Sequence, residues 1–284
     1  MDLEKIINDI DSLEPVSQVG NKVAEIMSDP ESSVNDVVEI IKYDQAMTAN
    51  LLRVCNSTLF GLTKEIVSIK QAVAYLGIDK VACLVMVGNH SGNFKKAHQG
   101  YDLEDGALWR YSVSSALIAQ DLAERRQVKN ISSLFTSALL KDIGKVVLNT
   151  YMREALNDVQ TQVQEAGLTF IEAEKAVLGI DHAELGGKVA EKWNFNQATI
   201  DIIRNHHDPD RGPVDDLSLP IIYLADSICM MIGIGVGADG LAYRYHQDIV
   251  DRLNFSDIDL QITIADFWEK LKSIEDLVRL SGGN

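Results

Sequence analysis

Six polar side chains sit where a helical pattern calls for apolar ones, and five of them could hold a metal ion together. Lys141 and Asp142 interrupt the apolar run SALLKDIGKVVL, and Asp226 falls in the middle of IIYLADSICMM. His182 occupies the first turn of a capped helix, while His206 and His207 lie near the end of another, just before Asp208-Pro209. Burying a carboxylate or an imidazole is costly unless the group is paired or ligates a metal. Asp142, His182, His206, His207 and Asp226, drawn from separate helices, are a donor set suited to Fe, Mn, Mg or Zn. Each residue alone also has a plainer reading. An Asp in an apolar helix can bond a neighbouring helix terminus, and a protonated His near a helix C-terminus interacts favourably with the macrodipole. His90, His98 and His246 fall in polar or irregular surroundings and are assigned to the surface.

The elements that must position these residues read as helices throughout. All five prolines lie at Pro15, Pro30, Pro209, Pro213 and Pro220, which leaves the interval between Pro30 and Pro209 free of the strongest helix breaker. Ser33 with Asp36 and Ser68 with Gln71 are helix-start pairs, followed by Val34, Val37, Val38 and Ile41 in one case. Ile69, Ala72, Val73 and Leu76, up to a Gly77 stop, follow in the other. Asp44 can cap a helix carrying Met47, Leu51, Val54 and Cys55. KVACLVMVG is apolar all round, which predicts a central buried helix, with a short strand left open by its β-branched content. Periodicity is lost between Gly92 and Gly106, so a boundary is placed there, with an N-terminal helical part over 1–95 and a second over 105–284. In the second part Leu108 to Ala123 is one helix, and Ile131 to Tyr151 is a longer apolar helix interrupted by KDIGK. Thr169 with Glu172 caps a helix stopped by Gly179, Asp181 with Glu184 caps the next, and Pro220 suits a first turn.

Composition bounds the function. The 284 residues carry 26 Lys plus Arg against 42 Asp plus Glu, a formal charge of −16, so direct nucleic-acid binding is disfavoured. Cys55, Cys83 and Cys229 each lie in an apolar run and none forms a CxxC pair, which reads as buried thiols in a reducing compartment. No secretory signal or membrane span is recognised, and a cytoplasmic location is expected.

SALLKDIGKVVL resembles the HDIGK signature of the HD superfamily of metal-dependent phosphohydrolases, with Lys141 in place of the first histidine. An upstream stretch like LWRHS usually supplies another histidine in that family, and this chain reads LWRYS with Tyr111 there. DHAELGG with His182, NHHDP with His206 and His207, and YLAD with Asp226 match later family positions in order. DPESSVNDVVEIIKYDQAMTANLLRVCNSTLFGL followed by SIKQAVAYLGIDKV closely resembles the opening half of HDOD domains, the HD-related output domains of bacterial signalling proteins. That resemblance includes Asp44, Asn56, Ser57 and Gly77 and runs as one module from about Ser12 to Met231.

The resemblance implies an all-α, multi-helical HD-like bundle with an N-terminal helical subdomain. It implies a non-catalytic signalling output or adaptor whose partners are other signalling proteins, with a nucleotide-like small ligand as a further option. The alternative is a metal-dependent phosphohydrolase acting on a nucleotide or cyclic dinucleotide. Against it stand Tyr111, Lys141 and DPDRGPVDD after His207, where the HD-GYP relatives carry their GYP tripeptide. The ammonium of Lys141 would repel a cation while offering Asp142 and Asp226 a counter-charge. No cofactor is therefore expected, and any residual weak divalent metal would use Asp142, His182, His206, His207 and Asp226.

Overall fold

The computed structural model describes residues 3–8, 33, 35–36, 38, 51–52, 55, 66–77, 81, 96–128, 131–192, 195–213, 215–240 and 248–268. Within them the chain is helical and no strand occurs; the one β-type pairing is an isolated bridge between His98 and Leu103. The fold is an all-α, HD-like helical bundle. No described helix is long and apolar enough to cross a membrane.

Ten α-helices carry the description. They are α1 Leu3–Asn8, α2 Ile69–Leu76, α3 Ala107–Arg125, α4 Ile131–Leu140 and α5 Ile143–Ala166, then α6 Phe170–Leu178, α7 His182–Lys192, α8 Gln197–Asn205, α9 Ser218–Met231 and α10 Asp248–Arg252. A 3-10 turn, Gln99–Tyr101, precedes α3, and a further helical segment occupies 257–268. The ends follow local chemistry. Ser68 accepts the Gln71 N–H at the start of α2, and Thr169 and Glu172 form a reciprocal capping box on α6, whose end is the left-handed Gly179. Asp181 accepts the Glu184 N–H at the start of α7.

Helices α3 and α9 are buried on nearly every side and pack on each other, α3 also on α4, and α5 on α6, α7 and the 3-10 turn. This arrangement brings the starts of α5 and α7 and the end of α8 around the middle of α9.

Two expectations need correction. The helix read over Ile131 to Tyr151 with an interruption at KDIGK is interrupted there, but it does not end at Tyr151. The chain turns at Lys141 and Asp142, and α5 then continues to Ala166, since Val147, Leu148, Tyr151, Met152, Ala155 and Val159 keep one buried face going. Nor is His98 a surface residue. Its backbone pairs with Leu103, its side chain is buried, and that burial lowers its pKa to about 4. His90, His246, Cys83, Asp44, Asn56, Ser57 and most of KVACLVMVG lie outside the described residues, whereas Cys55 and Cys229 are both buried free thiols.

Candidate functional site

The turn at Lys141 and Asp142 exists because both side chains face inward. Asp142 stands at the N-cap of α5 but caps nothing with its carboxylate. Its oxygens are committed instead to ammonium groups: Lys141 Nζ pairs with Oδ2, and Lys145 Nζ lies 2.8 Å from Oδ1. The start of α5 is pressed against the start of α7 at Gly144, where a Cβ would collide with the His182 carbonyl oxygen. Glycine at this position is what allows Asp142 and His182 to share one site.

Lys141 is fully buried and its Nζ also lies 2.5 Å from Asp226 Oδ1. The same oxygen accepts the Tyr111 hydroxyl at 2.5 Å, and the Lys141 ammonium sits 4.4 Å from the Tyr111 ring centroid. Lys145, on the next turn, adds Asp239 Oδ2 at 2.8 Å. Two ammonium groups therefore meet three carboxylates. Burial alone would depress both lysines, but Asp142 with Asp226 raises Lys141, and Asp142 with Asp239 raises Lys145, so both stay charged. Burial likewise pushes Asp142 up, yet Lys141 and Lys145 hold it well below the usual carboxylate range.

A second group of side chains adjoins this network. Glu174 Oε2 accepts both the backbone N–H of His182, at 3.0 Å, and its ring Nδ1–H, at 2.7 Å. Glu174 Oε1 accepts the Tyr101 hydroxyl at 2.7 Å. His182 Nε2 then faces His207 Nε2 at 3.0 Å and Asp142 Oδ1 at 3.6 Å. His206 donates Nδ1–H to the Ile203 carbonyl at 2.7 Å, which leaves its Nε2 bare, buried and without a hydrogen-bond partner. These tautomers follow from the partners, since a carboxylate and a carbonyl can only accept. Burial, reinforced by neighbouring positive charge from Lys141 or from the other imidazoles, lowers His206 and His207 well below the ordinary histidine range.

The structure thus brings Tyr111, Lys141, Asp142, His182, His206, His207 and Asp226 into one cluster, but divides them by partner. The acids turn to the lysines, and the histidines turn to one another. His207 is half-buried and lines a cavity of about 740 Å³, along with Tyr223, Asp181, Lys188, Arg204 and Asp208.

Four members of the cluster escaped the reading of the sequence: Tyr101, Lys145, Glu174 and Asp239. A signal existed for two. Glu174 shares the stripe Phe170, Ala173, Leu178 on the buried face of α6, and Lys145 follows Lys141 by four residues inside an apolar run. Asp239 lies in a turn and Tyr101 in a three-residue 3-10 turn, both too short for periodicity to mark an inward-facing side chain.

The model of the HDOD domain family matches residues 13–209. A protein of unassigned role from Treponema pallidum is 26% identical over 207 residues, which is 72% of this chain and 40% of that protein. The chain therefore spans well under half the length of this curated relative. Among solved structures, an HDOD domain protein of unknown function from Geobacter sulfurreducens superposes with a TM-score of 0.71 at 25% identity, covering 97% of this chain and 99% of the other. A protein from Marinobacter aquaeolei, provisionally described as a signal transduction protein, gives 0.70 at 18% identity over 97% and 61%. One from Shewanella amazonensis, provisionally described as a phosphohydrolase, gives 0.64 at 21% identity over 96% and 92%.

Proposed function

The chain belongs to the HDOD domain family, and from that premise we propose that it is a signalling output module that works by binding other proteins rather than by hydrolysis. The observation that supports this most is the Lys141 ammonium, buried between the carboxylates of Asp142 and Asp226. An HD-type phosphohydrolase needs those acids to hold a cation that activates water and polarises phosphate. A cation held jointly by Asp142 and Asp226 does not fit this donor set, because a fixed positive charge already satisfies both. Tyr111 reinforces the arrangement by donating to Asp226, where the related enzymes carry an imidazole. Partners are other signalling proteins, and the cavity beside His207 is large enough for a nucleotide-sized ligand.

The second reading, a metal-dependent phosphohydrolase, is favoured by one observation, the three clustered imidazoles of His182, His206 and His207, of which His207 borders that cavity. A panel of phosphodiesters and nucleotides, assayed with added Mn²⁺ or Fe²⁺, separates the two. The module reading expects no turnover that depends on Asp142. Turnover abolished by Asp142→Ala overturns it.

A further inference from the structure

We propose that the outward face of the helical segment 257–268 is a docking surface for a basic amphipathic helix of a partner protein. The inference rests on the reading of the chain as a binding module and gives that module a surface and a kind of partner.

The segment starts by local chemistry and is fastened on one side. Ser256 Oγ accepts the Asp259 N–H at 3.2 Å, and Asp259 Oδ2 accepts the Ser256 N–H at 2.8 Å, a reciprocal cap. Thr263 and Phe267 are buried, and Leu260 and Ile264 pack against the core beside them. Thr263 donates its hydroxyl to Asp121 of α3 at 2.7 Å, and Arg125 of α3 reaches Asp266 at 2.9 Å. Positions 260, 263, 264 and 267 share one face at the helical repeat, so that face is committed to the bundle.

The opposite face is where a surface helix normally carries polar groups. Here Ile258, Ile262 and Ala265 follow one another at spacings of four and three, with Trp268 at the edge of the stripe. Ile258 is 66% exposed, Ile262 41% and Trp268 47%. Seven large hydrophobic side chains are exposed among the described residues, and these three fall on this one segment. Scattered surface hydrophobics need no explanation, whereas a run of them along one helix face marks an interaction site.

Charge along the edges selects the occupant. At the helical repeat Asp257 borders the stripe on the side of Trp268, and Asp259 and Asp266 border it on the other. Residues 256–268 contain no lysine or arginine. Arg125, which reaches this edge from α3, is already divided between Asp121 and Asp266. A second copy of the chain would set the same acids against one another across a two-fold axis. A helix with aliphatic residues at i, i+4 and i+7 and lysine or arginine beside them covers the stripe and meets the acids. The segment is about 18 Å long, enough to lie along three turns of such a helix.

The test titrates the full chain into a fluorescein-labelled helical peptide of leucine, alanine and lysine, about five turns long, with leucine at i, i+4, i+7 and i+11. The expected result is saturable one-to-one binding by fluorescence anisotropy, weakened about 10-fold or more by Ile258→Ser combined with Ile262→Ser. Tyr75→Ser, which removes an exposed apolar side chain from α2, should leave binding within about 2-fold. A peptide with every lysine replaced by glutamate should not bind. All these side chains are exposed, so the variants should keep the urea midpoint of the unmodified chain. Binding that survives the paired isoleucine exchange, or that the glutamate peptide shares, overturns the surface, as does absence of saturable binding to the unmodified chain. A dimer in light scattering that the same exchange converts to monomer also overturns it, because a second copy then occupies the face. None of these results touches the module reading, which falls to Asp142-dependent turnover.

Discussion

The Lys141 ammonium lies 2.5 Å from Asp226 Oδ1, the same oxygen that accepts the Tyr111 hydroxyl at 2.5 Å. Lysine and tyrosine thus share a single acceptor, at the two positions where the resemblance to HD phosphohydrolases leads one to expect imidazoles. Tyr111→Phe keeps the ring over Lys141 and removes one hydrogen bond to a charged group. Its expected cost is about 1.5–3 kcal/mol in urea unfolding. A change under about 0.5 kcal/mol would mean that the ring alone matters.

Restoring the imidazoles should reverse the electrostatics. In a Tyr111→His, Lys141→His double variant, Asp142 and Asp226 lose their shared counter-charge and regain the need for a cation. Calorimetric titration with MnCl₂ should show binding at least about 10-fold tighter than in the unmodified chain, since each oriented ligand contributes substantially to affinity. Equal affinity would indicate that the acids are not directed at a common point.

The segment after α9 is fastened by Lys145. Asp239 Oδ2 lies 2.8 Å from its ammonium, and the Ala238 N–H donates to the Tyr101 carbonyl at 2.8 Å. Gly237 lies so close that a Cβ there would strike that same carbonyl. Asp239→Ala leaves a buried ammonium short of a partner and should cost about 3–5 kcal/mol. Hydrogen exchange at the Ala238 amide should accelerate well beyond the amides of α3. Uniform exchange across both would show that the segment opens only with global unfolding.

Stability should fall with acid well above the carboxylate range. His98, His206 and His207 have folded-state pKa values lowered by burial, His98 to about 4. The unfolded chain, with histidines near 6.5, therefore binds more protons than the folded one below that pH. The stability is fully present above about pH 6.5 and is lost as pH falls toward the folded values. Between pH 7.5 and 5.5, each such imidazole should contribute a loss of about 1.4 kcal/mol in chelator-treated protein. Asp142, lowered by Lys141 and Lys145, adds a further loss only below about pH 4. A flat urea midpoint from pH 7.5 to 5.5 would contradict the burial of neutral imidazoles.

Helix ends were legible because their chemistry is local. Ser68, Thr169, Gly179 and Asp181 act on backbone groups within four residues. The inward placement of Lys141, Asp142 and Asp226 was legible for a different reason, since each breaks an apolar stripe. Partner choice was not legible, because it depends on chain crossings that sequence spacing does not encode. Whether Asp142 faces His182 or Lys145 is set by the approach of α5 to α7 at Gly144 and by the return of Asp239 from beyond α9. His98 was misplaced for a related cause, as an irregular segment can be buried by neighbours distant in sequence.

The Lys141–Asp226 pair is what closes the acid cluster to a cation, and a double-mutant cycle of Lys141→Met and Asp226→Asn in urea unfolding measures it most directly. Lys141→Met alone should cost about 3–5 kcal/mol, and the pair should show a coupling energy of about 1–3 kcal/mol, with the double variant less destabilised than the sum of the singles. Additivity within about 0.5 kcal/mol, together with a Lys141→Met cost below about 1 kcal/mol, would place the ammonium outside the acid pair and contradict the account.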